Sequence, residues 1–417
     1  MIPSMKTAAA ILSLAIAAQA ASPDTAASAI NQLGIDLHKQ LPPTGNVCIS
    51  PYSIQSALAM TFAGADGATR EEMQKVLHYP KDADAIHDSL AALRTGLDAA
   101  VAESAKVAAN SKEWGGPSEP IVLNIANRLF GQSGYDFRVK FTSFVKAKYG
   151  APFAMLDYRR NAARATREIN DWVAGETQKR IRDLIPPRAL TADTRLVLAN
   201  AIYLKAPWAH EFYRGATKPA PFHIAGGLPA NVPTMINHSH YRFVKGAGYV
   251  AVGIPFSGDG LQFIVIVPDS VKGVAAIELK LTAEMLKSCA AAKTQDVILH
   301  LPKFKIEAPT VPLAASLQTL GMKTAFDKPQ GSANFDGIAP RKPDDYLFIS
   351  EVFHKTFIAI DEKGAEAAAA TAVAMARATA APMDEPLEVK VDRPFLFAIQ
   401  HVPSGACLFL GRVSDPR

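Results

Sequence analysis

Cysteine is scarce. The 417 residues hold three, Cys48, Cys289 and Cys407, too few for a disulfide framework, so the fold must rest on its core. Cys48 and Cys407 sit in apolar, strand-like runs (NVCISPYSI, GACLFLGRV) and read as small buried hydrophobes. Cys289 closes an alanine-rich helix and has no evident partner for thiol chemistry. Charge of one sign is also lacking: 44 Lys and Arg against 39 Asp and Glu leave +5. No dense basic stripe is present, which excludes a nucleic-acid partner. No apolar run is long enough to cross a bilayer, which excludes a membrane partner of that kind. Phosphate-cradling glycine loops are missing, and GQSGY fails the Gly-x-Ser-x-Gly spacing of a nucleophile elbow. His238 and His240 of HSH share a strand face but have no third ligand, so no metal and no cofactor is expected. No catalytic constellation emerges, and the chain reads as something other than an enzyme.

What is present begins with a leader. MKTAAAILSLAIAAQA places one lysine before a short apolar run and ends on small residues, the pattern of a signal peptide over residues 1–20, cut after Ala20. That predicts a soluble protein that is secreted or extracytoplasmic, in an extracellular or periplasmic location. Hydrophobic residues make up 49% of the chain, enough for a large core. The first half reads as helix, with Ile30, Leu33, Leu37 and Leu41 at helical spacing and Ile169, Trp172, Val173 and Ile181 as a later stripe. SKEWGGPSEP reads as an exposed loop. IVLNIANRLFGQ has strand character, and strands then dominate: RLVLANAIYLKA, YVAVGIPF, LQFIVIVP, DVILHLPKFKIE, LFISEVFHKTFIAI, LEVKVD, FLFAIQHV and ACLFLGRV. FSGDGLQF carries a hairpin signature. Helices first and strands later, without regular alternation, predict α+β. No polar linker divides residues 21–417, so a single domain is expected.

One stretch contradicts its surroundings. DEKGAEAAAATAVAMARATAAP, residues 361–382, is built from a strong helix former and a poor strand former, yet lies between two strand-like runs. Composition alone fits a low-complexity loop or a short helix. At period two, Ala365, Ala367, Ala369, Thr371, Val373 and Met375 share a face without charge, and Glu366 falls on the other. Alanine fits either face, so the period alone does not choose between loop, helix and strand.

The flanking motifs give it a context. NVCISPYSIQSALAMTFAGADGATREEM, LVLANAIYLKAPWAHEF, HLPKFKIE with LQTLGMKTAF, VFHKTFIAIDEKGAEAAAATA, and DRPFLFAIQHVPSGACLFLGRV occur in order. Together they resemble the serpins, the serine-protease-inhibitor superfamily, over roughly residues 26–416. The resemblance implies three β-sheets, eight or nine helices and an exposed reactive-centre loop at about residues 362–390. It also implies suicide inhibition: a target endopeptidase cuts the loop, and the acyl-linked stem inserts into the large sheet as a new strand. The partner would be that endopeptidase, of the serine or the cysteine type, in a covalent complex with a monomeric inhibitor. HDSLAALRTGLDAAVAESAKVAAN has few basic residues where heparin-activated members carry a patch, so no heparin site is implied.

Residue by residue, the resemblance places a hinge at Glu362, Gly364, Ala365, Glu366, Ala367, Ala368, Ala369 and Ala370. Ser50, Ser53, Asn200 and His354 match a polar cluster beneath the opening sheet, the shutter. Trp208, Lys303 and Glu362 match the top of the sheet where insertion begins, the breach. Counting from Glu362 puts the reactive bond at Ala378-Thr379, suited to elastase-like or subtilisin-like proteases. Cleavage after Arg377 would suit a trypsin-like target, and counting back from Arg393-Pro394-Phe395 gives Met383-Asp384. A non-inhibitory serpin acting as carrier, chaperone or storage protein is the alternative, although such members often have bulky or charged hinge residues.

Overall fold

The computed structural model describes residues 22–114, 116–151, 153–224, 226–366 and 385–417. The leader at 1–20, the hinge residues Ala367, Ala368, Ala369 and Ala370, and the cut-site candidates Arg377, Ala378, Thr379 and Met383 lie outside the described residues.

The chain opens with α1 (Asp24–His38) and β1 (Val47–Ile49). Next comes α2 (Pro51–Phe62), whose Ser50 cap accepts from the Ser53 N–H while Pro51 presets the first turn. Every residue of α2 is buried, so this helix runs through the core. Then come α3 (Gly67–Val76), α4 (Ala85–Trp114), β2 (Val122–Gln132), α5 (Val139–Tyr149), β3 (Phe153–Leu156) and α6 (Tyr158–Glu176). The second half holds β4 (Leu196–Pro207), β5 (Lys218–Phe222), β6 (Ala230–Gly246), β7 (Tyr249–Pro255) and β8 (Leu261–Pro268). After α7 (Val274–Lys280) and α8 (Ala283–Ala290) come β9 (Thr294–Pro302), β10 (Phe304–Glu307), β11 (Val311–Pro312) and α9 (Ala314–Thr319). The last strands are β12 (Phe353–His354), β13 (Phe357–Asp361), β14 (Gly364–Ala365), β15 (Leu387–Lys390), β16 (Phe395–His401) and β17 (Ala406–Val413).

These strands form three sheets among the described residues. One has nine strands, ordered β1-β17-β16-β8-β7-β6-β9-β15 with β5 added to β6; the second has six, β10-β13-β14-β4-β2-β3; the third pairs β11 with β12. The two faces of the six-stranded sheet bury different cores. Ile202, Leu204, Ala206, Ile358, Ile360 and Ala365 face the main cluster. Ala199, Ala201, Phe357 and Ala359 face a second cluster, closed by Ile169 and Val173 of α6. The α+β architecture is as expected.

Three local expectations fail. The loop expected from Ser111 begins later, because α4 continues to Trp114. DVILHLPKFKIE is not one strand: it breaks at Lys303 into β9 and β10, which belong to different sheets. Leu347, Phe348, Ile349 and Ser350 form no strand despite their composition. A strand exists only through its partners, and no described neighbour offers that segment a ladder. Ile181 is buried as expected, but beyond the end of α6.

Candidate functional site

The six-stranded sheet is unevenly paired. On one edge β4 pairs with β2 from Leu196 to Lys205. On the other, among the described residues, it pairs only through Ala206 and Pro207, to Ala365 and Gly364 of β14. No described ladder joins β4 to β12 or β13. Leu196 and Leu198 line a small cavity together with Phe335, Ile338 and the strandless segment Leu347–Glu351. Among the described residues, then, two residues of the alanine-rich segment lie between β13 and β4, and no ladder joins those two strands directly.

Those two residues enter through a tight turn. β13 and β14 form a hairpin with Asp361 opposite Gly364 and Ile360 opposite Ala365. The Lys363 N–H donates to Asp361 Oδ1 at 2.8 Å, so the aspartate shapes the reversal. Gly364 has φ +149°, and a Cβ there would lie 2.0 Å from the Ala206 carbonyl oxygen, so only glycine passes this close to β4. Ala365 is 2% exposed and packs into the main core.

Above the turn, Glu362 is held from two sides. Lys303 Nζ donates to Oε2 at 2.8 Å and Thr217 Oγ1 to Oε1 at 3.0 Å. Burial opposes the carboxylate's charge, but the bonds from Lys303 and Thr217 outweigh it and keep the group below its ordinary pKa. Trp208 is fully buried, donates from Nε1 to the Asp361 carbonyl at 2.9 Å, and stacks on Phe256 with ring centroids 4.7 Å apart. The Phe212 N–H donates to the Glu362 carbonyl at 2.8 Å, and the Trp208 N–H to that of Lys363 at 2.8 Å. Trp208, Lys303 and Glu362 thus meet around the turn that admits β14.

Lower in the sheet, a buried polar cluster ties α2 to β4 and β12. Ser53 Oγ donates to Asn200 Oδ1 at 2.6 Å, and Asn200 Nδ2 donates back to the Ser53 carbonyl at 2.6 Å. Asn200 also donates to Asn127 Oδ1 on β2, its register partner. The Ser50 N–H donates to His354 Nε2 at 2.9 Å. An accepting Nε2 carries no proton, so the imidazole is neutral with its hydrogen on Nδ1. Burial agrees, lowering the His354 pKa to about 3. Thr356 Oγ1 closes the cluster by donating to the Cys48 carbonyl at 2.8 Å. Ser50 and His354 form one bonded pair, Ser53 and Asn200 another, linked where Ser50 caps α2.

The other candidates from the sequence sit elsewhere. His238 pairs with Asp296 at 2.7 Å, and no metal-competent cluster occurs among the described residues. All three cysteines are free and buried; burial raises Cys48 to about 12 and Cys289 to about 11, leaving both inert as thiols. No described helix is long and apolar enough to cross a membrane. Sequence reasoning missed Asp361, Thr217, Asn127 and Thr356. Only Asp361, three residues before a glycine, carried a readable turn signal.

Two small residues paired between β13 and β4, with a buried polar cluster lower in the same sheet, match a known design. The family model for "Serpin (serine protease inhibitor)" matches residues 28–416. This chain belongs to the serpin family. Among its relatives, the leukocyte elastase inhibitor of Equus caballus is 33% identical over 401 residues, covering 93% of this chain and 99% of that protein. An uncharacterized serpin-like protein of Thermococcus kodakarensis is 35% identical over 392 residues, covering 94% and 85%. Among solved structures, uncleaved ovalbumin superposes with a TM-score of 0.76 at 25% identity, over 95% of this chain and all of that one. The thermophilic serpin tengpin in its native state gives 0.77 at 26% identity, over 93% of each chain. The serpin fold, with nine α-helices among the described residues and three sheets, is therefore the fold of this protein.

Proposed function

We propose that this serpin is an irreversible suicide-substrate inhibitor of serine endopeptidases with small or shallow specificity pockets. One observation carries the reading: Gly364 and Ala365 already lie between β13 and β4, each paired on both sides. A protease serine attacks the Ala378 carbonyl and expels the Thr379 amine, leaving an ester to the inhibitor. The freed stem then extends β14 downward before water can hydrolyse that ester. The inward face continuing from Ala365 (Ala367, Ala369, Thr371, Val373 and Met375) holds no charge to desolvate. A strand of about 12 residues gains roughly a dozen ladder hydrogen bonds at ~1 kcal/mol each. The names of the elastase-inhibiting relatives agree with alanine at the cut. Cleavage after Arg377 would redirect the same trap to trypsin-like enzymes. Secretion, directed by the leader at 1–20, belongs to this proposal.

Incubation with pancreatic elastase, subtilisin and trypsin tests the proposal. A detergent-stable adduct with elastase or subtilisin is expected, together with a C-terminal peptide whose mass places the cut after Ala378. Complete cleavage without adduct would instead mark a non-inhibitory serpin.

A further inference from the structure

An ion pair ties Glu366, the last described hinge residue, to the connection that follows α6. Arg180 Nε bonds Glu366 Oε1 across 186 positions of sequence. The Glu366 side chain is 11% exposed and its Oε2 is shut off from solvent. Burial first, and the Glu366 charge second, hold the nearby Tyr203 phenol up at about 12.

Arg180 is aimed rather than free. Its guanidinium sits 5.3 Å above the Phe357 ring of β13, which Lys305 also approaches, at 5.4 Å. The chain reaches it from α6 through Gln178 and Lys179, both left-handed at φ 51° and 61°. The buried Thr177 hydroxyl fixes this bend, accepting from the Ile181 N–H at 3.1 Å and donating to the Val173 carbonyl at 2.8 Å. Glu366 is also left-handed, at φ 48°. It leaves strand geometry one residue after Ala365, although its N–H still reaches the Ala359 carbonyl at 2.8 Å. Glu366 itself, and the two residues that lead into Arg180, therefore occupy a backbone region that non-glycine residues disfavour.

We propose that Arg180 and Glu366 form a latch that stops insertion at Ala365 until the loop is cut. This rests on the insertion reading above. To extend β14, Glu366 must pass from φ 48° to extended backbone, which re-aims its side chain. A growing strand must also pass beneath α6 and the connection that carries Arg180. Either movement parts the ions, so the pair adds to the barrier for entry and little to the relaxed end state.

The test compares the full-length parent with Arg180→Ala, Glu366→Gln and the double variant. Each is warmed below its melting temperature and assayed for loss of elastase inhibition without cleavage. Each single variant is expected to inactivate about tenfold faster than the parent, equivalent to about 1.4 kcal/mol of barrier. The double variant is expected to be no faster than either single, because both remove one interaction. Fresh Arg180→Ala, altered outside the loop, should form adduct at the parent's stoichiometry or lower. Unchanged inactivation rates, or effects that multiply in the double variant, would overturn the latch. Glu366→Gln keeps the side chain's shape, so it decides the matter if Arg180→Ala fails to fold. A parent that forms adduct and relaxes on cleavage leaves the insertion reading standing even if the latch fails; a parent that does neither removes both.

Discussion

Replacing Ala365 with arginine should turn this inhibitor into a substrate. Ala365 is 2% exposed, is paired on one side with Ile360 and on the other with Ala206, and faces the main hydrophobic cluster. A guanidinium entering there would be a charge buried among apolar side chains such as Ile360 and Ala206, at a cost of about 3–5 kcal/mol. If only about 3 kcal/mol of that reaches the insertion barrier, the stem enters roughly a hundredfold more slowly. Hydrolysis of the acyl-enzyme then wins. The assay titrates a fixed amount of elastase with each inhibitor and follows residual activity beside denaturing electrophoresis. The parent should need close to one molecule per enzyme; Ala365→Arg should need many and accumulate as cleaved protein. Ala365→Ser, small and uncharged, should behave like the parent. An arginine variant that traps elastase at the parental ratio would refute the argument.

Two further outcomes follow from the same geometry. Lys303→Met leaves the nearly buried Glu362 carboxylate without its cation, and is expected to cost about 1–3 kcal/mol, discounted because Lys303 is partly exposed. The intact protein should then melt several degrees lower, and Glu362→Gln in the same chain should restore part of the loss; no change in melting would contradict the role given to the pair. Acid should also destabilise the native state. His354 and His87 are lowered to about 3 and about 4 by burial, from an ordinary 6.5, so the unfolded chain binds more protons below 6.5. Their contribution is complete above that pH and fades as pH falls toward 4 and then 3, by about 1.4 kcal/mol per unit for each. Melting temperature measured from pH 7 to pH 5 should decline, and less steeply in His354→Asn; a flat profile would count against a neutral, buried His354.

Much of this arrangement was legible in the residues. Gly364 and Ala365 could be read because any larger residue there meets β4 or the core. The strands β7, β8, β16 and β17 announced themselves as apolar runs, because they are buried on both faces. The strands β5 and β6 did not. Lys218–Phe222 contains two prolines, which an edge strand tolerates, and among the described residues β5 pairs with β6 alone. β6 mixes polar residues such as His238, Ser239 and His240 into a half-exposed surface. Leu347–Ser350 misled in the opposite direction, because strand composition cannot supply a partner. The Arg180–Glu366 pair joins positions 186 residues apart, and no local pattern encodes such a contact.

Trapping by loop insertion requires the intact chain to be less stable than the nicked one. Limited cleavage within residues 377–384, followed by thermal unfolding of cut and uncut protein under identical conditions, measures that difference directly. The nicked protein is expected to melt tens of degrees higher, since roughly a dozen new ladder hydrogen bonds join the sheet. Equal or lower melting after the cut would contradict insertion between β13 and β4, and with it the inhibitory function proposed here.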